Sequence, residues 1–149
     1  MRTVVIGIGN ELCADDAVGL AVVRRLAAEG VAEAVEAGCP GLGLLDLLDG
    51  YDRAILVDAV VSGAPPGTLH EFTLHDLPDR KWLPLSLHGV NAVDALALGQ
   101  IVEPERLPPD VIIFGVEIAD RTPFRAGLTP AVSDAIGQMA ERIRKTLTP

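Results

Sequence analysis

At 149 residues the chain is long enough to bury about two-thirds of its unfolded surface, and it reads as a single domain over 1–149 with no need of disulfides or structural metal. A formal charge of -9 and a pI near 4.6 exclude a protein built to grip the nucleic-acid backbone, since Arg24-Arg25, Arg80-Lys81 and Arg142 to Lys145 are short, local basic groups. Two cysteines, Cys13 and Cys39, without C-x-x-C spacing exclude a disulfide framework and a cysteine zinc site, and acids or glycines interrupt every apolar run before it reaches bilayer length.

The first apolar strand, Thr3 to Ile6, leaves no charged, apolar and cleavage regions ahead of it to act as a signal peptide, so a cytoplasmic protein is expected. The strand runs into Gly7-Ile8-Gly9-Asn10 and then two adjacent acids, Asp15 and Asp16. A dinucleotide fingerprint would require glycine at the sixth position from Gly7, where the chain has Leu12. One of the two acids suits an N-cap for the following helix, and one cap leaves the other acid unexplained.

Val18, Ala21, Val22, Leu26 and Ala27 predict a helix over about Asp16 to Glu29, stopped by Gly30. Ala34 to Ala37 reads as a weaker strand leading into Gly38-Cys39-Pro40-Gly41, and Leu42 to Leu48 as a short apolar helix ended by Gly50. Arg53 to Val61, RAILVDAVV, has the nearly continuous apolar character of a strand covered on both faces. Its one interior acid, Asp58, is costly to bury unless paired, bound to a metal, lifted out at the strand end, or turned back on its own backbone in the following loop.

After a Ser62 to Gly67 loop, Thr68 to Thr73 alternates as a strand that returns as a hairpin partner. Leu74 to Leu87 is read as a long loop holding Trp82, which either anchors a partner or pins the loop to the core. Ser86 is placed as the cap of a helix carrying Val90, Val93, Leu96, Ala97 and Ile101. That puts His88 in the first turn, where the helix dipole favours the neutral imidazole a metal requires; the structural alternative is a histidine that only hydrogen-bonds there. Asp110 to Ile118 is another covered strand, with Glu117 near its end. Thr129 as cap and Pro130 at the first position open a final helix with the stripe Val132, Ile136, Met139, Ile143 and Leu147.

This order predicts an α/β protein, a three-layer α/β/α sandwich with a mostly parallel, mixed, twisted sheet. Asp16, Asp58 and His88 border three separate elements, and if the strand ends converge they supply two carboxylates and an imidazole, a set suited to a divalent metal with positions left open. No H-E-x-x-H or G-x-S-x-G motif accompanies them.

The GIGNxLxxDD start, the VDAVVSGxPPGT segment, the SLH triplet and the FGVEI and GLTPAV segments resemble the nickel-iron hydrogenase maturation endopeptidases, in order along almost the whole chain. The resemblance implies an α/β/α fold and removal of a C-terminal extension from the nickel-loaded hydrogenase large-subunit precursor. It implies that Asp16, Asp58 and His88 recognise nickel supplied by that substrate, as metal ligands and catalytic residues. The family often has an acid-Gly-Gly-Thr-like run in the second loop. This chain has Glu36-Ala37-Gly38-Cys39 there, so Glu36, Gly38 and Cys39 are expected to bear on which hydrogenase is served. The rival expectations are a non-enzymatic nickel chaperone or sensing module and, more weakly, a small-molecule hydrolase. Cys13 and Cys39, one in each of the two rim loops, read as small buried hydrophobes, with contact to the substrate or metal as the alternative, and His70 and His75 receive no role.

Overall fold

The apolar runs of the sequence lie side by side in one sheet. In the computed structural model, which describes residues 1–76 and 92–148, the strands are β1 (Thr3–Ile8), β2 (Ala34–Gly38), β3 (Arg53–Val60), β4 (Leu69–Thr73) and β5 (Asp110–Glu117). Their order is β2-β1-β3-β5-β4. All neighbours are parallel except β4, which runs antiparallel to β5. The helices are α1 (Val18–Ala28), α2 (Leu44–Leu48), α3 (Ala92–Val102) and α4 (Pro130–Leu147). Among the described residues no helix is long and apolar enough to cross a membrane.

Alternation along each strand sends side chains to both faces, and both faces are covered. Val5, Ile55, Val57, Phe114 and Val116 pack under Val18, Val22 and Leu26 of α1 and Val132, Met139 and Ile143 of α4. Val4, Ile6, Ala54, Leu56 and Ile113 pack under Leu44 and Leu48 of α2 and Ala92, Ala95 and Leu96 of α3. This is the expected α/β/α sandwich. At the opposite end from the glycine-rich turns, Arg53 donates to Asp110 at 2.6 Å and to the Thr146 carbonyl at 2.8 Å, tying β3, β5 and the C-terminal end of α4 together.

Three expectations need correction. The strand after the Ser62 to Gly67 loop does not return to β3, because β1 and β5 already occupy both edges of that strand; it pairs with β5, and its half-buried residues suit a sheet edge. The first helix does not begin at Asp16: a 3-10 turn, Ala14–Ala17, precedes α1. Thr129 stands at the N-cap of α4 but its side chain makes no capping bond, since its hydroxyl is engaged elsewhere.

Helix α1 sits unusually close to the sheet. A Cβ on Gly19 would lie 2.4 Å from both the Ile8 and Val57 carbonyl oxygens, so only glycine lets the helix rest on the ends of β1 and β3. Gly19→Ala is therefore expected to cost about 3 kcal/mol by overpacking against rigid backbone. Gly43→Ala, whose Cβ would meet nothing within 4 Å, should stay within about 0.5 kcal/mol of the parent in urea denaturation.

Candidate active site

β1 leads by way of α1 to β2 on one side, while β3 lies on its other side, so the strand order reverses between β1 and β3. In open α/β sheets the crevice beyond the strand ends at such a point is where ligands bind. Pairing of β1 with β3 stops at Gly7 and Val57, and β1 then shifts register to meet Gly38 of β2. Asp58 is the first β3 residue past that divergence.

Asp58 is 4% exposed and continues the alternation of Ala54 and Leu56, so it belongs to the face covered by α2 and α3. Its Oδ1 accepts the N–H of Ala59 at 2.8 Å. The carboxylate does turn to adjacent backbone, but from within β3 and not from the following loop. Asp16, 2% exposed, lies in the 3-10 turn that packs against β3, and its Oδ2 accepts the Asn10 N–H at 3.0 Å. Gly9 permits this fold-back, because a Cβ there would sit 2.2 Å from the Asp16 carbonyl oxygen.

Asp15 has a different task. Fully buried, it accepts the N–H groups of Ala119 (3.0 Å), Asp120 (2.9 Å) and Thr129 (2.7 Å) and the Thr129 hydroxyl (2.7 Å). It caps neither the 3-10 turn nor α1. The neighbouring acids thus divide: one knits the β1 turn to the β5–α4 connection, and the other is turned toward the β1 loop.

The loop after β2 is fastened to the β1 loop. Arg24 of α1 bonds both Glu11 and Glu36, the latter at 2.7 Å, and the Gly9 N–H donates to the Gly38 carbonyl at 2.9 Å. The bonds to Glu36 and then Glu11 hold the Arg24 guanidinium above its ordinary pKa. Glu36 is therefore engaged within the protein, Gly38 closes β2 at φ 63°, and Cys39 is exposed beside it. Cys13 is half-buried, and the two thiols are not joined in a disulfide.

A buried cluster that sequence reasoning left without a role lies at the end of β5. Glu117, 2% exposed, accepts the Ser62 N–H at 2.8 Å and the Ser62 hydroxyl, and meets His70 Nε2 at 3.1 Å. Burial pushes its carboxyl up, but the Ser62 donors and His70 outweigh it and leave the pKa below the ordinary value. The pairing could not be anticipated while β4 was assigned to the wrong neighbour. Asp120, held by Thr122 and Arg125, is lowered to about 2.

His88, Ser86, Trp82 and Arg80-Lys81 lie outside the described residues. Among the described residues no three His, Cys, Asp or Glu side chains gather as a metal-holding group. Of the three expected ligands, the structure describes Asp16 on the turn after β1 and Asp58 near the end of β3, both buried and on elements that pack against each other.

A sequence model of the hydrogenase maturation proteases matches residues 19–146, most of the chain. The chain belongs to the hydrogenase maturation protease family. A hydrogenase expression/formation protein HupD of Rhodobacter capsulatus is 31% identical over 150 residues, covering 97% of this chain and 70% of the relative. The [NiFe] hydrogenase maturation protease HybD of Thermococcus kodakarensis superposes with a TM-score of 0.85 at 25% identity, over 99% of this chain and 100% of the other. The E. coli hydrogenase maturating endopeptidase HybD gives 0.84 at 28%, over 99% and 92%. The maturation protease described here is accordingly a peptidase, which sets aside the non-enzymatic module and the small-molecule hydrolase.

Two outcomes follow for this protease. Asp15→Ala leaves four donors at a buried position and should destabilise the fold by about 3 kcal/mol or more in urea denaturation, whereas a purely solvent-facing acid would show under about 0.5. Glu117, with its pKa lowered in the folded state, contributes stability above its ordinary value of 4.5 that is lost as pH falls through the lowered one. Glu117→Gln should be less stable at neutral pH and show a shallower decline in denaturation midpoint on acidification than the parent.

Proposed function

We propose that this protease removes the C-terminal extension of a nickel-iron hydrogenase large-subunit precursor once nickel is in place, and that Asp16, Asp58 and His88 meet the nickel carried by that substrate. The observation carrying the reading is the pair of buried carboxylates supplied by separate chain segments at the strand reversal. Burying a carboxylate is unfavourable unless cationic or hydrogen-bonding partners compensate, and a substrate-borne metal would supply positive charge to both. The hydrogenase names of the family and of the HybD proteins supply the substrate class.

The donor set is chemically suitable. Carboxylate oxygens and a neutral imidazole suit a borderline divalent ion such as nickel, and a metal bound by three protein groups keeps positions for ligands from the substrate. Bound nickel would supply charge stabilisation to the carbonyl being cut. The chain's own part is to hold the carboxylates in a water-poor crevice, where either of them orients a water and takes its proton as it attacks. Asn10 holds Asp16 from the side of the β1 loop, and the Ala59 N–H holds Asp58, so both enter with fixed orientation. Glu36, Gly38 and Cys39 are placed in this reading on the loop that meets the precursor and selects among hydrogenases. The protein is assigned to the cytoplasm, where such a precursor is available.

Asp16→Asn, Asp58→Asn and His88→Ala should each lower processing of the nickel-loaded precursor at least about 100-fold while retaining the far-UV circular dichroism of the parent. The shortened large subunit is read by intact mass. Normal processing by all three variants, or equal cleavage of nickel-loaded and nickel-free precursor, would refute the nickel-recognition mechanism.

A further inference from the structure

The connection between β5 and α4 runs beside the β1 turn: Cys13 bridges to Arg125 in parallel, and the Ala14 N–H donates to the Arg125 carbonyl at 2.8 Å. Leu12 and Phe124 each immediately precede a residue of that bridge. Both are large apolar residues facing water, Leu12 58% and Phe124 89% exposed. Each belongs to a segment with a non-glycine residue in the left-handed region, Ala14 at φ 50° and Phe124 itself at φ 60°, the only two among the described residues.

A bulky side chain in that backbone region is disfavoured, and an aromatic so exposed returns little packing to the fold. Strain held without a folding benefit points to function. The position agrees, because Asn10 joins the two features: its side chain accepts the Leu12 N–H at 2.9 Å and its own N–H donates to Asp16. The Leu12 segment is thus tied through Asn10 to the loop that holds Asp16, and the bridge ties the Phe124 segment to it in turn. Leu42, 50% exposed on the loop after β2, adds a third apolar side chain to the strand-end rim.

We propose that Leu12 and Phe124 form a specificity subsite that seats an apolar side chain of the large-subunit precursor, in an extended stretch next to the bond that is cut. This rests on the function proposed above. A polypeptide is the occupant because the chain is a peptidase and the pair adjoins its candidate carboxylates; a small solute needs neither an exposed aromatic nor a paired-loop ledge. Arg121 lies exposed three residues before Phe124 and has no ion pair among the described residues, so the ledge is flanked by a cation on a protein of net charge -9. An acidic residue beside the apolar one in the precursor would complement it.

The test is Phe124→Gly, with Leu12→Ser as a second variant. Glycine suits the left-handed backbone, so the variant should melt no lower than the parent, while the lost anchor should raise KM for nickel-loaded precursor about tenfold with kcat nearly retained. Binding of the precursor by each protein is measured in parallel. A lowered melting temperature with unchanged KM would assign the ring to the fold and overturn the proposal. Unchanged KM with a parent dimer that Phe124→Gly dissolves, seen by sedimentation, would instead assign the ledge to a second copy of the chain. Parent protein that neither binds nor cuts the precursor would overturn the function itself and the subsite with it; parent that cuts, with variants equal to it, overturns the subsite alone.

Discussion

The Asp15 carboxylate holds this architecture together at its working end. Its four hydrogen bonds reach across 104 to 114 residues of sequence and fix the turn after β1 against the connection between β5 and α4. Everything placed at the rim depends on that joint. The 3-10 turn that presents Asp16, the Cys13–Arg125 bridge and the start of α4 at Thr129 all lie within a few residues of it. A buried carboxylate is a demanding choice for such a joint, and it is tolerable because donors reach both oxygens, three on Oδ2 and one on Oδ1.

Around this joint lies the strand reversal between β1 and β3, and Gly19 lets α1 close on the ends of those two strands from one face. The consequence for chemistry is rigidity. Asp58 is fixed inside a strand paired on its far edge to β5, and Asp16 on a turn held by Asp15 and packed over Gly9. In the function proposed above, carboxylates oriented before substrate arrives would need little reorganisation during reaction. On the neighbouring strand end, Glu117 performs a structural service of the same kind for the Ser62 loop, using His70 as its partner.

Local sequence patterns carried far into this structure where the signal was local. The runs at Thr3, Arg53 and Asp110 became covered parallel strands because such strands must be apolar on both faces. The stripe from Val132 to Leu147 became the packed face of α4 because helical spacing gathers those residues on one side. The destination of the Leu69–Thr73 strand was not legible, since alternation says that a segment is half-covered and not which edge it joins. For the same reason His70 had no visible partner until β4 was seen beside β5.

The sequence by itself determined the layered α/β/α design, the family to which the chain belongs, and the placement of Asp16 and Asp58 near the ends of strands. It could not divide the labour between Asp15 and Asp16, two identical side chains one residue apart. That was decided by tertiary structure. A carboxylate's role follows from the donors around it, and the donors of Asp15 arrive from Ala119, Asp120 and Thr129, while Asp16 receives Asn10 from its own loop. Periodicity records which face a residue occupies; only the folded chain brings distant N–H and O–H groups within reach of one oxygen pair.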